Sequence, residues 1–133
     1  MSHLATVQGI YAAFRRGDIP AILECLAEDV EWEYGVSSTD VPWLQPRRGR
    51  SEAAGFFRSL GAVDFHRLEA TTFLDSGAVV VVLLQVEATV YATGRRISEA
   101  DEVHIWHFDD AGRVARFRHR ADTHQQHLAF HGG

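Results

Sequence analysis

Apolar residues near the start of the chain repeat at the spacing of a helix. Steps of three and four place them on one helix face, and they are Leu4, Val7, Ile10, Tyr11 and Phe14. This helix is expected to end within residues 15–17. Asp18 can cap a second helix that has Pro20 in its first turn, and Ser51 can cap a third helix that ends at Gly61. The first half of the chain therefore predicts three helices.

From Val30 onward apolar residues repeat at every second position, which indicates strands. In the first strand Trp32 and Tyr34 share the side of Val30, and Glu31 and Glu33 share the other. Four longer strands follow, joined by short turns that favour antiparallel hairpins, at residues 63–74, 78–91, 95–108 and 113–122. Helices before strands predict an α+β fold, in which helices cover one face of a curved, mainly antiparallel sheet.

The composition does not change along residues 1–133, so we predict one domain, with an ordered core at about residues 3–123 and a C-terminal tail at 124–133. Residues 35–49 have no sustained period and are expected to form a long loop. Trp43 in this loop has two interpretations: it anchors the loop to the core, or it closes a cavity as part of a lid.

The second long strand is apolar on both faces. Val80, Val82 and Leu84 begin one wholly apolar face, and the other starts with Val79, Val81 and Leu83. Three helices can hardly cover both faces of so long a sheet, so we predict a second subunit on the other one. The expected homodimer forms through the sheet, at the outer-face residues Val79, Val81, Leu83, Val103 and Ile105.

Composition and charge narrow the classes of function. The 133 residues are 46% hydrophobic and 11% aromatic, which excludes a disordered chain. The net charge of -5 argues against nucleic acid as a partner. Cys25 is the single cysteine and excludes an intramolecular disulfide, and the longest apolar run, 78–84, is far shorter than the ~20 residues of a membrane helix. We expect a cytoplasmic protein that does not bind membranes.

The last predicted hairpin carries the candidate chemistry. If Phe108 and Arg113 flank its turn, His104 faces Phe117 and Glu102 faces His119, on the same side as Trp106. A carboxylate beside a buried histidine orients the ring and raises its proton affinity, so we predict His119 and Glu102 as an acid/base pair. The alternative is a structural hydrogen bond between two strands. For His104 alone, a buried core residue is the favoured interpretation.

Three histidines near the C-terminus, His124, His127 and His131, are spaced by three and four residues, as on a metal-binding helix face. No carboxylate or cysteine framework accompanies them, and terminal segments fray, so a solvated tail is the favoured interpretation. Cys25 has no neighbouring base and is expected to be a core thiol. We expect no metal and no organic cofactor.

The chain resembles the SnoaL-like polyketide cyclases and ketosteroid isomerase relatives of the nuclear transport factor 2-like superfamily. The resemblance covers nearly the whole chain, and the segments that carry it are AAFRRGD at 12–18, LAEDVEW at 26–32, Gly49-Arg50 before the third helix, and FDDAGRV at 108–114. It implies a cone-shaped α+β fold with a pocket between helices and sheet, most often in a homodimer that takes a hydrophobic small molecule.

The resemblance also assigns individual positions. His104 stands where ketosteroid isomerases carry a protonated Asp that donates to an oxyanion, and His119 stands where related cyclases and epoxide hydrolases carry an acid/base Asp. Tyr34 or a neighbour stands at the position of the isomerases' Asp base. Ile10 stands at the position of their oxyanion-binding Tyr, with Tyr11 one step away. These departures argue against steroid isomerase chemistry.

The resemblance leaves two classes of function open, because one fold hosts many activities. The first is a cofactor-independent acid/base enzyme of isomerase, cyclase or hydrolase type for a hydrophobic carbonyl-containing or polycyclic substrate, with His119 as acid/base, Glu102 as its orienting group and His104 as polarising donor. The second is a noncatalytic module that holds an apolar ligand or partner. The expected ligand-binding residues are Tyr11, Phe14, Trp32, Tyr34, Trp43, Phe57, Trp106 and Phe117.

Overall fold

A computed structural model describes residues 2–37 and 40–132 as four helices and a six-stranded sheet. The helices are α1 (His3–Arg15), α2 (Ile19–Glu24), α3 (Arg50–Ser59) and α4 (Thr123–His131). The strands are β1 (Leu26–Trp32), β2 (Arg47–Arg48), β3 (Val63–Asp75), β4 (Val79–Val90), β5 (Arg96–Phe108) and β6 (Val114–Arg120). Short 3-10 turns at Pro42–Leu44 and Leu60–Ala62 complete the fold. The predicted α+β class is confirmed.

The sheet is mixed, with the strand order β2-β1-β6-β5-β4-β3. Its pairs are antiparallel except that β1 runs parallel to β6. Alternate residues of β4, beginning with Val80, Val82 and Leu84, are buried on the face that the helices cover, and their neighbours are half-buried on the other face. The helices and this inner face therefore enclose the core.

Local signals explain two of the helix starts. Asp18 caps α2 as predicted, because its Oδ1 accepts the backbone N–H of Ala21 at 3.2 Å. The prediction that Ser51 caps α3 is wrong: the helix begins at Arg50, after Gly49, whose φ of 86° is open mainly to glycine.

The C-terminal segment forms helix α4 where a solvated tail was predicted. Asp122 caps this helix by accepting the N–H of Gln125 at 3.0 Å, and Gly132 ends it with a φ of 75°. Gln126 and Ala129 are buried, so the helix packs on the domain. The C-terminal segment does not form a solvated tail, because α4 buries one face and has both of its ends capped.

The predicted β5–β6 register is wrong by two residues. His104 lies opposite His119, and Trp106 lies opposite Phe117. The turn is one residue longer than expected, and a bulge next to Phe108 adds another. A shift of two keeps every side chain on its predicted face, but it changes which side chains are partners.

A second bulge, in β5, places Glu102 on the inner face of the sheet. The β4–β5 register shifts between Leu84 and Val86, and Asp101 has a φ of 60°. Because this bulge adds one residue, both Ile97 before it and Glu102 after it are buried on the inner face. None of the helices in the described residues has the length and apolar character to cross a membrane.

Candidate functional site

A cavity of about 90 Å³ lies between the helices and the inner face of the sheet. That is several times the ~10–15 Å³ that one water needs. Apolar and aromatic side chains form most of its wall, and those from the predicted set of ligand-binding residues are Tyr11, Phe14, Trp32, Trp43, Phe57, Trp106 and Phe117. Glu102, His104, His119 and Gln126 are its polar members. Such a site suits a hydrophobic molecule with one polar group.

Tyr34 lies outside this cavity, contrary to prediction. Its hydroxyl contacts His107 Nε2 at 2.7 Å, and the guanidinium of Arg116 lies 3.9 Å from its ring centre, both on the outer face of the sheet. The cause is Glu33, whose φ of 57° ends β1 at Trp32 and interrupts the alternation of sides.

Glu33 enters the site instead, as the partner of His119. Its carboxylate is fully buried, and its Oε1 accepts the backbone N–H of His119 at 3.0 Å and also bonds to Nδ1 of the same ring. The backbone N–H of Glu33 donates to the carbonyl of Phe117 at 2.7 Å, which extends the β1–β6 pairing by one residue. Backbone and side chain together fix the imidazole.

The pKa of His119 lies above its ordinary value of 6.5. Burial alone would lower this pKa, but the hydrogen bond and charge of Glu33 outweigh burial, and the charges of Glu102 and Glu99 act in the same direction. Among the described residues nothing hydrogen bonds to Nε2 of His119. One ring nitrogen is therefore held by a carboxylate while the other stays available at the cavity.

A second hydrogen-bonded chain runs along the same wall. Trp106 Nε1 donates to the Tyr11 hydroxyl at 3.1 Å, so that hydroxyl donates its own proton to His104 Nδ1 at 2.6 Å. His104 Nε2 then donates to Glu102 Oε2 at 3.0 Å. Both ring nitrogens of His104 are occupied, which leaves none to polarise a ligand as the sequence predicted.

Different effects set the protonation at the two ends of this chain, and at Tyr11 the effect is burial. It raises the pKa of Tyr11 far above 10, so the phenol keeps its proton. For Glu102, burial acts to raise the pKa, but the hydrogen bond from His104 and the charge of His119 outweigh it, and the pKa is lowered. Glu102 is thus an ionised carboxylate.

The predicted contact between His119 and Glu102 is absent among the described residues. Each histidine instead has its own carboxylate, Glu33 for His119 and Glu102 for His104, and the two rings lie opposite each other with centres 5.9 Å apart. The shifted register and the left-handed backbone at Glu33 cause this exchange of partners. Glutamate rarely adopts such a backbone, so no sequence signal marks Glu33 as a site residue.

Three buried polar atoms of the described residues lack a hydrogen-bond partner. They are Nε1 of Trp32, whose side chain lines the cavity, Oε2 of Glu33, and Nε of Arg118. An unpaired buried donor costs about 1–3 kcal/mol, so a ligand oxygen that accepts from Trp32 would recover that free energy.

Trp43 fits both of its interpretations. Its ring lines the cavity, and its Nε1 donates to the buried Oε1 of Gln126 in α4 at 2.7 Å. The long loop is therefore anchored by the same residue that closes the cavity wall. Cys25 is half-buried, and burial raises its thiol pKa, which disfavours the reactive thiolate.

Comparison with known proteins agrees with this fold. The family profile described as the SnoaL-like domain matches residues 7–117, and the chain belongs to this family. No curated protein sequence matches the chain.

Three solved structures illustrate the likeness. A nuclear transport factor 2-like protein of unknown function from Burkholderia pseudomallei K96243 is 30% identical, with 98% of each chain covered and a TM-score of 0.77. A nuclear transport factor 2-like protein from Burkholderia thailandensis E264 is 25% identical, with 97% of each covered and a TM-score of 0.83. TerC, co-crystallised with polyporic acid, is 27% identical, with 96% of each covered and a TM-score of 0.73.

Proposed function

We propose that this SnoaL-like protein binds a hydrophobic, carbonyl-containing or polycyclic small molecule and moves a proton on it, with His119 as the acid/base. One observation carries the proposal: His119 lines an aromatic cavity while its Nδ1 is held by the buried carboxylate of Glu33. A carboxylate on Nδ1 fixes the tautomer that leaves a lone pair on Nε2. His119 is the catalytic candidate, and Glu33 replaces Glu102 as its positioning residue.

The proposed step is proton abstraction next to a carbonyl. Nε2 of neutral His119 takes the proton, the C–H electron pair moves into the carbonyl, and an enolate forms. The Nε1 proton of Trp32 is a candidate donor to the enolate oxygen, because it has no partner in the described part of the chain. If the substrate has a carbon–carbon double bond next to that α-carbon, the enolate is conjugated, and return of the proton from Nε2 to the far carbon of that double bond moves the double bond and completes an isomerisation without a metal or organic cofactor.

The Tyr11–His104–Glu102 chain is proposed to set the charge near His119. The Glu102 carboxylate favours the imidazolium that forms when His119 accepts a proton. Because Tyr11 and His104 satisfy each other, they also hold the cavity wall rigid before a ligand arrives.

The second candidate is a noncatalytic module that holds the ligand in the same cavity. The saturated hydrogen bonds of His104 favour it, since a closed polar network supports binding without chemistry. The co-crystal of TerC with polyporic acid suggests that compound as a binding probe for this chain.

We further propose a homodimer through the outer face of the sheet, in the cytoplasm. Val81 lies opposite both Leu74 of β3 and Ile105 of β5, and Leu83 lies opposite Val103. Leu74 is 55% exposed, and the other four are only half-buried. These residues form one apolar patch across three strands, which is the kind of surface that a second subunit covers.

The experiment separates the two candidates by measuring binding and proton transfer together. Quenching of tryptophan fluorescence measures binding of polyporic acid and of 2-tetralone, a bicyclic ketone. NMR in D₂O then measures exchange of the ketone's acidic α-protons. We expect exchange faster than in buffer, and His119→Gln should lower the protein-dependent rate by roughly 10²–10⁴-fold while binding persists.

The matched control is His66→Gln, on the exposed part of β3, which should leave the rate unchanged. Binding without accelerated exchange would favour the noncatalytic module. Equal exchange by the wild type and His119→Gln would overturn the assignment of His119.

A further inference from the structure

Two histidines and a carboxylate meet on the surface between α4 and the loop that carries Trp43. Ligand atoms of Asp40, His127 and His131 lie within 4.8 Å of one another. Within the described ranges, no other group of three or more His, Cys, Asp or Glu side chains converges in this way. The group lies outside the cavity, and the proposed proton transfer makes no use of it.

We propose that Asp40, His127 and His131 bind a divalent first-row transition-metal ion, with Zn²⁺ as the foremost candidate. Two imidazoles and one carboxylate form a ligand set that suits zinc and its neighbours. Three protein ligands leave a fourth tetrahedral position for water. The site is therefore of the open type.

Helix geometry brings the two imidazoles together. His127 and His131 are four residues apart, so they lie on one face of α4, and their ring centres are 4.6 Å apart. His131 lies in the last turn of the helix, where the helix dipole favours a cation. His124, one turn earlier, is exposed and does not belong to the group.

An ion pair and a hydrogen bond already hold Asp40 against this face. Its Oδ2 lies 2.5 Å from His127 Nδ1, and its backbone carbonyl accepts from His131 Nε2 at 2.8 Å. A metal ion would replace the proton between Asp40 and His127, because metal ligands bind in their deprotonated forms. Tetrahedral zinc spaces its ligand atoms by ~3.3 Å, so the side chains need only small rotations to close around an ion.

The metal would cross-link the loop to α4 beside an existing buried contact. Trp43 follows Asp40 by three residues, and its indole donates to Gln126, the neighbour of His127. A bound ion would therefore restrain the segment that carries one wall of the cavity. Binding to the folded state should raise the melting temperature by an amount that grows with the logarithm of the metal's affinity.

The test uses the full chain without an affinity tag, freed of metal by a chelator that is then removed. Calorimetry with Zn²⁺ and absorption spectra with Co²⁺ measure stoichiometry and coordination. We expect one ion per chain, a tetrahedral Co²⁺ spectrum and a higher melting temperature with Zn²⁺. His127→Ala, His131→Ala and Asp40→Asn should each weaken binding at least about tenfold.

The matched control is His124→Ala, which removes an exposed histidine from the same helix and should leave affinity unchanged. Circular dichroism verifies that each variant is folded. Absence of Zn²⁺ binding to the wild type would overturn the proposal. It would equally be overturned if His124→Ala lost as much affinity as His127→Ala, since the ion would then be bound by surface histidines in general.

Discussion

At the scale of single residues, Glu33 controls the candidate site through both its backbone and its charge. Its φ of 57° turns a carboxylate into the interior, where it holds the ring of His119. The folded-state pKa of His119 lies above the unfolded value near 6.5. The pair therefore stabilises the fold fully below the unfolded pKa, and this stabilisation is lost as pH rises through the folded pKa.

We expect Glu33→Gln to lower the pKa of His119. The glutamine can still accept from Nδ1 but has no charge, so the imidazolium loses its main support. NMR titration of the His119 ring measures this pKa. If the proton-transfer rate depends on neutral His119, that rate increases as the pH rises through the pKa of His119. The pH at which the rate is half-maximal should therefore be lower in the variant as well. Glu31→Gln, on the exposed side of β1, is the matched control. An unchanged His119 titration in Glu33→Gln would contradict the pairing.

Tyr11→Phe should reduce the free energy of unfolding by about 1–3 kcal/mol. The variant leaves Trp106 Nε1 buried without an acceptor and His104 Nδ1 without its donor. Urea denaturation followed by fluorescence measures the loss. Tyr91→Phe is the control, because Tyr91 is 65% exposed and its variant should stay within about 0.5 kcal/mol of the wild type. Equal stability of the two variants would argue against the buried chain of hydrogen bonds.

At the scale of elements, the bulge in β5 decides which polar residues face the cavity. Without the extra residue at Asp101, Glu102 would be on the outer face, because Ile97 and Glu102 lie an odd number of positions apart. The bulge therefore keeps an apolar and an acidic residue on the same side of one strand. Asp101 suits this position, because aspartate tolerates the left-handed region better than most residues.

Asp101→Val should destabilise the fold by about 1–2 kcal/mol, the cost of a left-handed backbone for a residue with a bulky Cβ. Asp101→Asn should remain close to the wild type, since asparagine tolerates this conformation. Thermal and urea denaturation compare the two variants at this exposed position. A Val variant as stable as the Asn variant would show that the backbone at residue 101 is not left-handed.

At the scale of the whole molecule, helices cover only one face of the sheet. The outer patch of Leu74, Val81, Leu83, Val103 and Ile105 therefore has no cover within the described chain. Burying a Val, Leu or Ile side chain contributes about 1.5–3 kcal/mol, so several together can offset the cost of association.

Light scattering should give about twice the 14.9 kDa chain mass at micromolar concentration. Val81→Glu should shift the mass toward that of one chain, because it places a charge at the centre of the patch. Ala111→Glu, in the exposed turn between β5 and β6, should not change the mass. A wild-type monomer under these conditions would refute the dimer.

The sequence by itself determined the α+β class and the family, and seven of the eight aromatic residues that it predicted for ligand binding line the cavity. Apolar residues that repeat every 3.6 positions in a helix or every 2 positions in a strand indicate which side of the element is apolar. The apolar sides of α1, β1 and the last strands meet in the core. Trp32, Trp106 and Phe117 were predicted on the inner face for this reason and lie there. Even the register error preserved their face, since it was a shift of two.

Only the tertiary structure decided which groups are partners. Which side chains contact each other depends on bulges and on residues with a left-handed backbone, because each of these shifts the strand by one position. The pattern of apolar and polar residues in the sequence does not mark where they occur. Glu33 thus replaced Tyr34 on the inner side and took the place expected for Glu102 beside His119. Likewise, Asp40 is 87 residues from His127 in the chain, and no local signal indicates that the fold brings the two together.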